Sequence, residues 1–522
     1  MEANNPYDAV PYTGRPFRKS HPDRLATIAT LRGLAPPPVA RCRVLELGCA
    51  LGGNLLPMAE QLPDARFVGI DGSLRQIETA RKTAETAGLT NVELLHGDLR
   101  SLGPELGEFD YILAHGIYSW VPRDVQDKIL DICGRQLAPS GVAFVSYNCY
   151  PGWHLRGTVY HLLRFATRDC DGPAERIRRA RRLSEALAGS LAADGQADAA
   201  ALKQELDLVA KQDDSYLFHE YLADVNEPIY FHEFIERAGA QGLRYLADTE
   251  FGLMSPDNLP QPVKQQVAAV ASGPLEMEQF LDFVKNRKFR QTLLCRGEAA
   301  LDHRPGPQRV ESLYVASGAR PDAAAELHDN APATYRTQSA AMISHEPLVK
   351  AAMLELAENW PRAVSFGALV AAARRRLAAP GTTIQAKAEG ESSLLAGLVA
   401  TGFGTSLIEL STLPSLFTLH LAERPRASSI ARCQAESSET VTNRRHEPVQ
   451  LSFVQRLMMR FLDGGHDRAG IVSGLLAVVQ DGTLVIHDDG RPVPGGPLAL
   501  TLLAEAVDAN LPVLARLALF ME

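Results

Sequence analysis

At 522 residues the chain is too long for one ordinary core, and length alone divides it into about two to four domains. A hydrophobic fraction of 46% and a charged fraction of 22% are globular values and exclude global disorder. The net charge of −9 argues against a nucleic-acid partner, because phosphate binding needs a concentrated basic surface.

The N-terminus, MEANNPYDAVPY, has no basic start followed by an apolar stretch and does not read as a secretory signal. Its tyrosines, Tyr7 and Tyr12, are out of place in a disordered tail and predict a lid over residues 1–40. Next come a strand at 41–47, a helix at 54–62, a strand at 65–71 and a helix at 73–88 closed by Gly88. Three more strands follow at 92–98, 109–116 and 141–148, with an amphipathic helix at 124–141. This alternation predicts a parallel, doubly wound sheet, which binds ligands at the carboxyl ends of its strands.

Near Pro173 the composition turns rich in Ala, Leu, Glu and Arg, enough for two helices. Aromatics then interleave with helix formers from Asp214 to about Asp282. Proline-rich breaks at 255–262 and 302–308 read as loops, the second as a domain linker. From about Leu348 the pattern is helical again, with Ser365 as an N-cap, and the polar stretch 427–447 reads as an exposed connection. No apolar run approaches the roughly 18 residues of a membrane helix. Seven cysteines (42, 49, 133, 149, 170, 295 and 433) include no C-x-x-C pair, so no zinc or redox motif is indicated. Reduced thiols in apolar runs predict a cytoplasmic protein.

The chemistry is concentrated where the first strand ends: Val44-Leu45-Glu46-Leu47-Gly48-Cys49-Ala50-Leu51-Gly52-Gly53-Asn54. Small residues at Gly48, Ala50 and Gly52 let the backbone approach a ligand. A dinucleotide fingerprint would read G-x-G-x-x-G and receive a pyrophosphate. Here the order is G-x-A-x-G-G behind Glu46, whose carboxylate repels pyrophosphate and suits a cationic amino-acid end. Asp71 ends the second strand, where a carboxylate can accept both ribose hydroxyls. Asp98 and His115 lie at the ends of the next two strands.

This segment resembles motif I of class I methyltransferases, E/D-x-G-x-G-x-G, with Ala50 in place of the middle glycine. The resemblance implies S-adenosylmethionine as cofactor and S-adenosylhomocysteine as product. It implies a site built from Tyr12, Glu46, Gly48, Ala50, Gly52, Asn54, Asp71, Gly72, Ser73, Asp98, Leu99 and His115, with Asp98 on the adenine amine and Leu99 on its ring. The fold implied is α/β: a Rossmann-like, doubly wound catalytic domain at 41–170, a helical regulatory or substrate region at 171–305, and a mostly helical, winged-helix-like region at 306–522.

The exit loops of the fourth and fifth strands, HGIYSWVP and YPGWHLRG, hold Tyr118, Trp120, Tyr150 and Trp153. Such rings attract an amine cation and exclude water, or else pack the base of a lid. With the N-terminal segment and NEPIYFHEFIERAGAQGLRYLAD (226–248), these loops resemble bacterial methyltransferases that carry a methyltransferase regulatory domain. Characterised members methylate lysines of outer-membrane proteins. The resemblance implies a protein substrate, an outer-membrane protein among the candidates, with no nucleic acid and no membrane insertion, and it leaves a homodimer open. His115, Tyr118, Trp120, Tyr150 and Trp153 are then the expected catalytic residues, and the helical extension is expected to choose the substrate while the N-terminal domain alone holds the cofactor. Two rival readings stand beside this one: a small-molecule N-, O- or C-methyltransferase, and a cofactor-binding regulator without turnover.

Overall fold

The computed structural model describes Asp8, Val10 and residues 14–191, 196–302, 307–323, 326–378, 389–488 and 490–521. Tyr7 and Tyr12 lie outside the described residues, as does most of the break at 302–308.

A seven-stranded sheet organises the N-terminal half. Its strands are β1 (Arg43–Leu47), β2 (Arg66–Asp71), β3 (Val92–His96), β4 (Phe109–Ala114), β5 (Leu137–Asn148), β6 (Leu243–Asp248) and β7 (Phe289–Arg296). They run in the order β3-β2-β1-β4-β5-β7-β6. The first five are parallel, and β7 pairs antiparallel with both β5 and β6. Strand order reverses between β1 and β4, which opens a crevice at their carboxyl ends. Helices cover both faces, so the central strands are buried on both sides, as in Val44 through Leu47.

The helices of this half are α1 (Pro22–Leu31), α2 (Leu55–Gln61), α3 (Leu74–Ala87), α4 (Arg123–Gln136), α5 (Trp153–Thr167), α6 (Gly172–Leu191), α7 (Ala197–Ala210), α8 (Asp214–Tyr221), α9 (Phe231–Ala240), α10 (Gln261–Val270) and α11 (Pro274–Lys285). Helix α3 starts on an Ser73 N-cap and ends at left-handed Gly88. The helix expected at 124–141 stops at Gln136, and β5 begins at Leu137 rather than Gly141.

Region 171–305 is not purely helical. Its strands β6 and β7 complete the catalytic sheet, so a boundary at 170 separates parts of one core. Arg290 on β7 is 1% exposed and meets Asp282 and Glu278 of α11 at 2.7 and 3.1 Å. Burying a guanidinium demands such pairing, which ties the last strand pair to its helix.

Residues 307–430 share the core of the sheet. Leu25, Val44, Phe67 and Tyr111 join one cluster with Val315, Met353, Phe403 and Ile430. The terminal part has its own core, in which Leu457, Ile471, Leu475, Leu503 and Val507 meet. Among the described residues one helix, Gly496–Arg516, is long and apolar enough to cross a membrane by length and composition. Its Leu503, Val507, Leu511 and Leu514 are buried in the fold. The stretch 427–447, expected to be an exposed connection, instead forms a helix (Ser429–Ser437) and a strand (Thr440–Thr442) with much of its length buried.

Candidate active site

After β1 the backbone alternates through left-handed turns at Gly48 (φ +75°), Ala50 (φ +48°) and Gly52 (φ +71°). Ala50 pays for this conformation, and Asp71 holds it there: the Ala50 N–H donates to Asp71 Oδ2 at 2.9 Å, while Ser73 N–H donates to Oδ1 at 2.8 Å. Asp71 therefore braces the loop and also faces the crevice. Gly53 carries no side chain because a Cβ would lie 2.4 Å from the Gly14 backbone. The N-terminal segment thus lies directly on the loop.

Glu46, 3% exposed, accepts from Asn54 Nδ2 at 2.6 Å through Oε1. Its Oε2 is buried without a partner, and burial pushes the carboxyl up to about 7. Asn54 also donates to Ser20 Oγ at 3.0 Å. Its Oδ1 accepts from the Phe17 N–H and meets His446 Nε2, each at 2.8 Å. One side chain thereby joins the loop, the N-terminal segment and the C-terminal domain to the carboxylate. Sequence reasoning missed His446, which sits in the stretch read as an exposed connection.

These groups open on a cavity of about 880 Å³, ample for a nucleoside carrying an amino-acid tail. Glu46, Gly48, Ala50, Asn54, Asp71, Gly72, Asp98, Leu99 and His115 line it. Gly52 and Ser73 do not. A Cβ on Gly52 would meet Leu56 and Ala80, so that glycine serves helix packing, and Ser73 caps α3 while donating to Asp8 at 2.5 Å. Asp98 is grasped by the Arg100 guanidinium at 2.6–3.1 Å, which holds its carboxyl low. The expected bond to an adenine amine must share those oxygens. His115 stacks on Phe17 at 3.8 Å, and its Nδ1 lies 3.0 Å from Ser146 Oγ. Burial lowers its pKa to about 4, so the ring is neutral at physiological pH.

The four expected aromatics do not converge. Trp120 lines the cavity; Tyr118, Tyr150 and Trp153 do not. Residues 118–120 form a 3₁₀ turn, which throws successive side chains about 120° apart. Tyr118 is fully buried edge-on to Phe234 at 5.3 Å, with its hydroxyl unpartnered. Trp153 is buried behind Trp120 at 6.2 Å, and Tyr150 stacks on His154 at 4.4 Å. Besides imidazoles, the aromatic rings on the cavity among the described residues are Phe17, Trp120 and Tyr216. Tyr216 belongs to a wall that sequence reasoning missed, with Gln212, Asp213, Ser215, His219 and Glu220, supplied by α8 and the two residues before it. In sequence this wall is the run QDDSYLFHE (212–220), whose aromatics mask its polar face.

Three known families match the chain: a methyltransferase domain on residues 44–141, a predicted methyltransferase regulatory domain on 213–296, and the C-terminal winged helix domain of PKMT on 423–519. An uncharacterized Rickettsia prowazekii protein is 33% identical over 502 residues, covering 94% of this chain and 89% of the relative. A second protein of that organism is 38% identical over 240 residues, 46% of this chain and 96% of its own. The structure of PKMT2 from Rickettsia typhi in complex with AdoHcy covers 98% of this chain and 100% of its own, at 30% identity and a TM-score of 0.86.

Proposed function

The chain belongs to the S-adenosylmethionine-dependent methyltransferases that combine a class I catalytic domain, a methyltransferase regulatory domain and a PKMT-type winged helix, and from this we propose that it methylates lysine side chains of a protein. The observation that carries the cofactor assignment is Glu46, which lines the cavity beside a loop of left-handed turns and keeps Oε2 buried without a partner. A carboxylate kept in that state fits the ammonium of the cofactor's amino-acid end, and Asp71 fits its ribose.

The bound cofactor supplies an electrophilic methyl group on a sulfonium. The chain's residues do the rest by holding and excluding. Glu46, itself held by Asn54, would receive the amino-acid end and Asp71 the ribose, and the stacked Phe17 and His115 line the same cavity. A neutral His115 adds no positive charge to a cavity that would receive a sulfonium. Positioning of this kind contributes several kcal/mol.

We place the reaction in the cytoplasm, with an outer-membrane protein precursor as acceptor. All seven cysteines are free, which agrees with a reducing compartment. The test is incubation with methyl-labelled S-adenosylmethionine and separated envelope and cytosolic fractions of the host. Acid hydrolysis should return the label as methyl-lysine from a protein band. Label in small molecules alone supports the rival small-molecule enzyme, and binding without any label the regulator.

A further inference from the structure

The cavity has two halves of different chemistry. The strand ends supply Glu46, Asp71 and Asp98, which the cofactor occupies. Another part of the lining comes from α8 and the residues just before it, and two carboxylates stand there: Asp213 and Glu220. Asp213 is already engaged, capping α8 through the Tyr216 N–H at 2.8 Å and facing Arg15 at 3.8 Å. Glu220 is half-buried and has no hydrogen bond or ion pair among the described residues. Trp120 and Tyr216 line the same cavity, whereas Phe17, the third ring there, is stacked on His115.

On the reading that the acceptor is a lysine, we propose that Glu220 is the group that receives the incoming ammonium and takes its proton, with Trp120 and Tyr216 flanking the nitrogen. The charged groups around Glu220 agree with this role. Arg156 on α5 is the cation facing it, and that guanidinium is shared with Glu205 of α7 at 3.3 Å, and with Tyr216 and Tyr221. Burial outweighs Arg156 and pushes the Glu220 carboxyl up to about 7. A carboxylate so placed accepts a proton near neutral pH, where a solvated one would not.

The step balances. The ammonium nitrogen gives one proton to a Glu220 oxygen and becomes a neutral amine. Its lone pair forms the N–C bond to the methyl carbon as the C–S bond breaks, that electron pair returning to sulfur. The positive charge passes from sulfonium to methylated ammonium, and Glu220 loses its proton to solvent.

The experiment compares wild type with Glu220→Gln and Glu220→Asp, each saturated with S-adenosylhomocysteine or S-adenosylmethionine. The first arm titrates n-butylammonium into the S-adenosylhomocysteine complex; wild type should bind it and Glu220→Gln should not. The second arm follows single-turnover transfer to the acceptor protein from pH 6 to 10. Wild type should rise through about pH 7 and level off. Glu220→Gln should lose between about thirtyfold and a thousandfold at pH 7.5 and climb about tenfold per pH unit, because only bulk-neutral lysine, with a pKa near 10.4, then reacts. Glu220→Asp should restore the plateau at a lower rate, and S-adenosylhomocysteine affinity should stay within twofold in all three, which excludes misfolding. Amine binding that survives in Glu220→Gln, or a Gln profile matching wild type within threefold, overturns the inference. Label found on a group other than lysine overturns the lysine reading instead, and the amine titration still decides the Glu220 site.

Discussion

Replacing Glu46 by Gln should move stability and cofactor affinity in opposite directions. The carboxyl is 3% exposed and sits at about 7 instead of the ordinary 4.5 because it is desolvated. A carboxyl whose pKa is raised on folding contributes stability below its unfolded value and loses it as pH rises through the folded value. Carrying that group from 4.5 to about 7 corresponds to a loss of about 3 kcal/mol in the ligand-free protein between pH 4.5 and 8. Glutamine keeps the oxygen that accepts from Asn54 and places an uncharged amide where Oε2 was, so this loss disappears. Unfolding entropies of roughly 2 cal/mol/K per residue make the shift about 1 °C per kcal/mol for a chain this long melting as one unit. The ligand-free variant should therefore melt about 2–3 °C above wild type at pH 8 and level with or below it at pH 5. Affinity should fall, because a charged hydrogen bond to the ligand's ammonium is worth about 1.5–3 kcal/mol, or roughly ten- to a hundredfold. Wild-type affinity for S-adenosylhomocysteine should also weaken as pH drops below about 7, while that of the variant stays flat. Calorimetric melts from pH 5 to 8.5, and isothermal titration over the same range, read both quantities. A variant that melts at or below wild type at pH 8 and binds within threefold of it refutes the reasoning.

His446→Ala removes a bond to Asn54 from a residue far outside the catalytic domain. S-adenosylhomocysteine binding should weaken about five- to tenfold, the value of one buried hydrogen bond, by isothermal titration. Tyr118→Phe deletes a hydroxyl buried without a partner; the melting temperature should hold or rise and single-turnover rates should not change, whereas Trp120→Ala should slow transfer up to about thirtyfold at saturating cofactor. Ending the chain after Arg304 should leave no folded cofactor-binding fragment, since Val315, Met353, Phe403 and Ile430 complete the core around Val44 and Tyr111. Near-UV circular dichroism and titration of the fragment check this, and a folded fragment of normal affinity would restore the division of labour expected from the motifs.

What the amino-acid order determined by itself was local. Glu46, Gly48, Ala50 and Gly52 follow one another within a single strand and turn, and Asp71 and Asp98 lie one strand–helix step apart, so their placement on one edge follows from strand alternation. The clustering of small residues also has a meaning that short-range sterics supply directly. The tertiary structure decided everything that depends on long-range pairing. His446 lies 392 positions from Asn54, and no periodicity links a polar turn in one domain to a buried amide in another. Strands β6 and β7 were hidden in segments with aromatics and charges, because Arg290 is buried only by virtue of partners on α11. The aromatic loops show the same division at short range: their composition marks the ligand face, but the 3₁₀ turn at 118–120 sends Trp120 to the cavity and Tyr118 to the core. Glu220 belongs to this second class. Its place on the same cavity as Glu46 depends on where α8 docks, which is settled by the packing of Leu217, Phe218 and Tyr221 against α5, α6 and α7. A backbone turn is shaped by its neighbours in sequence, whereas a buried polar group is tolerated only where distant chain segments supply or withhold its partner.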